Sequence, residues 1–185
     1  MSEAPKTFFP FEIFYLTRMY GAYPIMKLYH GSNQVVEEPQ IVASVRGLDF
    51  GKGFYTTSNY EQAVRFTENV IKRKKEGKRT VSVYEINYAE LFKECSVLKF
   101  ETPSEEWLDF VSLNRTNAYI GKIYDMVIGP VANDSVYNVI DLYIDGTYDK
   151  DEAIKRLKVR DLFDQWTFCT EKSIEFLKFC SSELI

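Results

Sequence analysis

Three features of this chain could carry chemistry: a lone histidine, three cysteines and a glycine-rich turn. His30 is the only imidazole, which excludes every metal site built on two histidines, HExxH motifs and two-histidine fingers among them. Cys95, Cys169 and Cys180 are odd in number and form no CxxC pair. That argues against a disulfide framework and for a reducing compartment, read here as the cytoplasm. Cys169 and His30 could be imagined as nucleophilic thiol and base, yet no third group that would orient the base is identifiable. The run Gly47-Leu48-Asp49-Phe50-Gly51-Lys52-Gly53 has the outline of a phosphate-binding loop. It is one residue short, and Gly53 stands where the magnesium-binding Ser or Thr belongs. No GxGxxG opens a helix either, so ATPase and Rossmann readings are poor, and the bland alternative for Gly51 and Gly53 is a tight turn.

The elements that must position these residues follow from patterning. Leu28 and Tyr29 lead into His30-Gly31-Ser32-Asn33, a short strand ending in a turn. Phe50 to Thr57 reads as a glycine-rich turn running into an aromatic and β-branched strand. A helix follows at once, with Ser58 and Glu61 as its capping box and Tyr60, Ala63, Val64, Thr67, Val70 and Ile71 at helical spacing. Gly77 ends it after Lys72-Arg73-Lys74-Lys75. Strands are expected over Thr80–Tyr88, Ser96–Phe100 and Met126-Val127-Ile128, the last closed by Gly129-Pro130. Helices are expected from Thr102-Pro103-Ser104-Glu105, from Asp134, from Asp149 to about Leu157, and finally from Thr170. Between the last two, Gln165 to Cys169 alternates, with Trp166 and Phe168 on one face and Gln165, Thr167 and Cys169 on the other. Strands and helices mix without regular βαβ order, so the fold class is α+β.

The composition suits a folded chain of one domain: 185 residues, 45% hydrophobic and 16% aromatic. A net charge of −4 supplies no global field for nucleic acid or anionic lipid. The basic run Lys72 to Arg79 is the local exception, and such a run after a helix is usually a solvated face. Phe8 to Ile25 is apolar but interrupted by Glu12, Arg18, Pro10 and Pro24, too broken to span a membrane and unlike a signal peptide. Residues 1–25 are therefore read as an N-terminal extension to a single domain over 26–185, with Met26 as natural start the second reading.

Two of these motifs together resemble a known superfamily. Leu28-Tyr29-His30-Gly31-Ser32 looks like the Leu-x-His-Gly-Ser first strand of the poly(ADP-ribose) polymerase-like, or diphtheria-toxin-like, branch of ADP-ribosyltransferases. Phe50-Gly51-Lys52-Gly53-Phe54-Tyr55 looks like that branch's Phe-Gly-Lys-Gly-Ile-Tyr strand. Asp49–Phe66, Tyr124–Asp134 and Asp164–Leu177 also resemble an uncharacterised bacterial family usually placed in that superfamily. The resemblance covers most of the chain from Met26 onward, and it implies split mixed β-sheets flanked by helices, with NAD as co-substrate.

Carried onto this sequence, the pattern implies that His30 and Ser32 contact ribose and that Gly31 lets its backbone approach the nicotinamide amide. Tyr55 would stack on the nicotinamide ring, with Phe66 as the second aromatic of that clamp and Gly53 in the same cofactor-binding strand. Gln165 is the departure. Many transferases of this fold place a glutamate there, and a neutral glutamine can orient the ribose but cannot stabilise its developing positive charge. The superfamily's carboxamide-contacting serine is also missing, because Ala63 occupies its position. The expected activity is mono-ADP-ribosyl transfer to an unknown acceptor, with toxin-like action an analogy only and no metal required. The alternatives are a catalytically silent NAD or ADP-ribose binding module, and NAD-dependent transfer of a 2′-phosphate from RNA. The last would need several basic residues converging on the cleft.

Overall fold

A computed structural model describes residues 25–41, 47–131, 134–158 and 162–185. The extension expected over 1–25 lies almost wholly outside them. The described chain is mixed, with seven strands in two sheets and six helices.

The first sheet is antiparallel, in the order β1 (Ile25–Ser32), β3 (Thr80–Asn87), β7 (Lys178–Leu184). The second has the order β2 (Phe54–Thr56), β6 (Asp164–Phe168), β5 (Met126–Pro130), β4 (Val97–Lys99); only its β4–β5 pair is parallel. The alternation foreseen for β6 decides the layering. Trp166 and Phe168 join Leu28, Phe54, Tyr84, Ile86, Met126 and Ile128 in a core between the two sheets. The opposite face of the second sheet meets α3 (Glu105–Arg115), α4 (Asp134–Ile144) and α5 (Lys150–Lys158), burying Trp107, Val111, Val127, Ile140 and Leu157. Helix α1 (Tyr60–Lys74) covers the outer face of β1 with Ala63 and Thr67. Apolar burial on this scale, at roughly 25 cal/mol per Å², is what holds the layers together.

Local signals differ from expectation at four places. Asn59, not Ser58, caps α1: its side chain accepts from the Gln62 N–H at 2.9 Å, while Ser58 is engaged by Asp164. Ser104, not Thr102, caps α3, accepting from the Trp107 N–H at 3.2 Å. The helix after Thr170 is only α6 (Glu171–Ile174), opened by a Thr170/Ser173 capping box, and the chain returns as β7. The seven-residue α2 (Tyr88–Glu94), capped by Asn87, was likewise not foreseen; it plugs the inter-sheet core with Tyr88 and Leu91.

Candidate functional site

The two motif strands meet where the sheets part. Tyr29 and Thr57 exchange both backbone hydrogen bonds, at 2.8 and 3.0 Å, on the side of β1 turned away from β3. Continuing that antiparallel register would set Gly31 opposite Tyr55. The strands instead diverge, and the Tyr55 carbonyl accepts from the His30 ring at 2.7 Å. Backbone groups alternate sides along a strand, so the N–H and C=O of Gly31 face the same way as those of Tyr29. Among the described residues they have no partner there. Gly31 is buried, and a buried unpaired donor and acceptor side by side are an uncommon arrangement within a fold.

A carbonyl oxygen can only accept, so His30 Nδ1 carries the proton and Nε2 is left with a lone pair. Burial pushes the imidazole pKa below its usual value; the Tyr55 bond opposes this and the nearby Lys74 ammonium adds to it. The ring is therefore neutral at pH 7, an acceptor at Nε2, and it leans on Phe54 with centroids 4.5 Å apart.

Tyr55 is held from two sides. Its hydroxyl donates back across the glycine-rich turn to the Gly51 carbonyl at 2.5 Å, and its ring borders the core under α3–α5. Burial, with the Asp49 carboxylate next in effect, raises the phenol pKa well above its normal value, so Tyr55 stays protonated. The turn itself is fastened by a pair that sequence reasoning missed. Asp49 accepts from Arg115 Nε at 2.7 Å, with both side chains more than nine-tenths buried. Arg115 also lies over the Tyr137 ring, 4.1 Å from its centroid. A Cβ on Gly47 would meet the Arg115 carbonyl at 1.9 Å, and Gly51 has φ +77°, so glycine is required at both. Asp49 stood inside the quoted motif, but nothing in the sequence linked it to a residue 66 positions away.

Gln165 shares a sheet face with Thr167, directly across from Tyr55, and its Nε2 is buried without a partner, as is Thr167 Oγ1. Asp164 is fully committed elsewhere. Its carboxylate accepts from the Ser58 N–H at 3.0 Å, Ser58 Oγ at 2.6 Å and Trp166 Nε1 at 2.7 Å, with Thr57 Oγ1 at 3.0 Å. It thereby clamps the β2–α1 turn to β6, and the β5–β6 register runs without a shift. The acidic side chains Asp49 and Asp164 are thus already neutralised or saturated, and Gln165 brings no charge.

The remaining residues divide. Ser32 is buried at the end of β1, its hydroxyl 3.5 Å from Asn33 Oδ1. A Cβ on Gly53 would lie 2.6 Å from Thr167 Cγ2, so packing against β6 alone requires glycine there. Phe66 is 44% exposed on α1 and makes no ring contact with Tyr55. Ala63 is buried against Gly31. Burial pushes the Cys169 thiol up to about 12, which disfavours the thiolate that a nucleophile needs. Among the described residues no cluster of His, Cys, Asp and Glu is placed to hold a metal ion, and no helix is long and apolar enough to cross a membrane.

Residues 26–179 match the model of a protein family described as of unknown function, DUF3990. The chain belongs to the DUF3990 family. No curated protein and no solved structure matches it. The DUF3990 match begins at Met26, one residue into β1, and ends within β7, so it spans both sheets and every residue of the site just described.

Proposed function

We propose that this DUF3990 protein binds NAD where β1 and β2 diverge and acts as a mono-ADP-ribosyltransferase. The observation that carries the reading is the pairing of an uncommitted, buried Gly31 backbone donor and acceptor with Tyr55, at the point where β1 and β2 diverge. A primary carboxamide needs one donor and one acceptor on adjacent backbone groups, and a flat ring beside it needs an aromatic face. Gly31 and Tyr55 offer that set. His30 Nε2 accepts from a ribose hydroxyl, and Ser32, one residue beyond Gly31, ends the same strand.

Bound there, NAD supplies an ADP-ribosyl group whose leaving group is nicotinamide. The chain's part is binding and orientation. Gly31 and Tyr55 hold the amide and ring as the glycosidic bond breaks, and the Gln165 amide, short of a partner, hydrogen-bonds a ribose hydroxyl. Gln165 supplies no negative charge to the ribose, which at about 1 kcal/mol is a fivefold loss of rate relative to a carboxylate.

Purified protein incubated with NAD tests this: nicotinamide release that disappears in Tyr55→Ala supports the transferase. A specific observation favours a second reading, a silent NAD-binding module. Gln165 is neutral and the neighbouring carboxylates Asp49 and Asp164 are spoken for. That module predicts NAD binding by titration without nicotinamide release. Absence of NAD binding overturns both.

A further inference from the structure

Six of the eight residues from Lys72 to Arg79 are basic, in a chain whose net charge is −4. Basic residues in the last turn of a helix are ordinary, because they complement the helix dipole. That accounts for Lys72, Arg73 and Lys74 but not for Lys75 and Lys78, which lie beyond the helix end. The segment does not trail into solvent. Lys75 takes a left-handed conformation with φ 58°, and Gly77 turns the chain again at φ +81°. These two turns fold it back onto the end of β1, where the Lys78 N–H donates to the Asn33 carbonyl at 2.8 Å and Asn33 Nδ2 donates to the Glu76 carbonyl at 3.4 Å. A Cβ on Gly77 would lie 2.2 Å from the Asn33 carbonyl oxygen, so this closure admits only glycine.

Asn33 immediately follows His30-Gly31-Ser32, so the fold places the cations at one end of the site. Helix α1 aims one of them directly. Its buried positions Ala63, Thr67 and Val70 form the stripe that faces the sheet, and Lys74 is the next position on that stripe. Lys74 also lowers the His30 pKa, as the smallest of three influences after burial and the Tyr55 bond. Arg79 is consumed by Thr67, the Val64 carbonyl and Glu68. Lys72, Lys74, Lys75 and Lys78 are exposed and form no ion pair among the described residues, and Glu76 is the only acid within the turn. Arg73 is exposed and unpaired as well, so five like charges gather in the last helical turn and the loop after it, and a multivalent anion relieves their repulsion. Lys72 and Arg73 stand about 200° and 100° round the helix from Lys74, which leaves Lys74, Lys75 and Lys78 on the side of Asn33.

We propose that Lys74, Lys75 and Lys78, at the helix end and in the loop folded against Asn33 at the end of β1, form a rim that binds the diphosphate of a nucleotide. The ligand identity rests on the reading of the His30–Tyr55 site as a dinucleotide site. A diphosphate is favoured over a nucleic-acid strand because the cationic surface is one helical turn and one loop wide. The acidic balance of the chain gives a longer phosphodiester backbone no continuation.

The test uses ADP, which has the diphosphate but no nicotinamide, titrated into the full chain beside a variant carrying Lys74→Gln, Lys75→Gln and Lys78→Gln. These side chains are exposed, and a thermal melt confirms that the variant is folded. ADP binding that weakens with added salt, and is roughly tenfold or more weaker in the variant, is the expected result. Adenosine should show neither dependence. Equal ADP affinity in the two proteins, no ADP binding, or tighter binding of a short single-stranded oligonucleotide on the same lysines overturns the rim. The NAD reading fails separately: NAD bound through the lysines no more tightly than ADP, with no effect of Tyr55→Ala on NAD affinity and no nicotinamide release, sinks that reading and leaves the rim standing.

Discussion

The Asp164 carboxylate receives the Ser58 hydroxyl at 2.6 Å and, through its partners Thr57 and Trp166, ties the β2–α1 turn to the strand that bears Gln165. An acid next to Gln165 invites the idea that it replaces the missing glutamate. Its geometry makes it a clamp instead. Asp164→Ala leaves the Ser58 N–H and Trp166 Nε1 without their acceptor, and hydrogen bonds to a charged group contribute about 1.5–3 kcal/mol each. We expect a loss of about 2–4 kcal/mol of stability in urea unfolding. A variant that unfolds at the wild-type midpoint would remove the clamp from the account.

Tyr55 has separable ring and hydroxyl roles. Tyr55→Phe keeps the ring and loses the bond to the Gly51 carbonyl, so it should cost about 1 kcal/mol of stability while retaining NAD affinity within a few-fold. Tyr55→Ala removes the ring and should abolish detectable binding. Isothermal titration of both variants decides it. Equal losses in the two would mean that the hydroxyl, not the ring face, is what the site uses.

The layered fold was legible where a pattern had one physical cause. The period-two alternation of Gln165 to Cys169 could only mean a strand with two different faces, and its two faces do meet two different cores. Met126 to Pro130, apolar throughout, could only be a strand buried on both sides. β7 was illegible because Ile174, Leu177 and their neighbours fit a helix as readily as a strand. An edge strand with mostly exposed side chains also carries no alternation to read. In the site, His30, Tyr55 and Gln165 stood out because residue type alone restricts their chemistry. Asp49, Arg115 and Asp164 did not. Their meaning lies in partners 66 and 106 positions away, which no local pattern records.

Gly31 is glycine for a reason that needs no ligand. A Cβ there would sit 2.1 Å from the Ala63 carbonyl oxygen and 3.3 Å from Thr67 Cγ2, so α1 could not approach β1. Gly31→Ala should therefore destabilise by about 1–3 kcal/mol through overpacking, with or without NAD present. A thermal melt unchanged by the substitution would show that the helix can shift, and would shift the burden of explanation to the free backbone edge.

The state of His30 sets a pH dependence whose sign can be worked out. Burial, the largest influence, lowers the folded pKa below the unfolded value of about 6.5. The neutral ring's contribution to stability is thus fully present above about pH 6.5 and is lost as the pH falls through the folded value. Ligand binding follows the same direction, because protonation turns Nε2 from acceptor to donor. NAD affinity should be flat from pH 8 to about 6.5 and decline only below that range. In His30→Ala that acid limb should vanish. Affinity that instead rises toward acid pH would mean the imidazolium is the binding form.

Gln165 gives the sharpest separation between a working enzyme and a silent module. Its Nε2 is buried without a partner, on the face shared with Thr167 and next to Tyr55 across the ladder, so Gln165→Glu changes the charge with little change in shape. If the reacting ribose lies there, the carboxylate stabilises its developing charge directly, and nicotinamide release should rise about fivefold or more. A partly buried carboxyl titrates above its usual range, so the gain should grow as pH rises through that titration, a dependence that the non-titrating wild-type amide cannot produce once saturating NAD removes the His30 binding limb. The measurement is the rate of nicotinamide release from NAD between pH 5 and 8, run for both proteins at saturating NAD as judged by titration. A faster variant with a basic-limb rise places the ribose beside residue 165. Release no faster than wild type, with NAD still bound, would mean that the amide does not face the reacting bond, and the silent-module reading would gain.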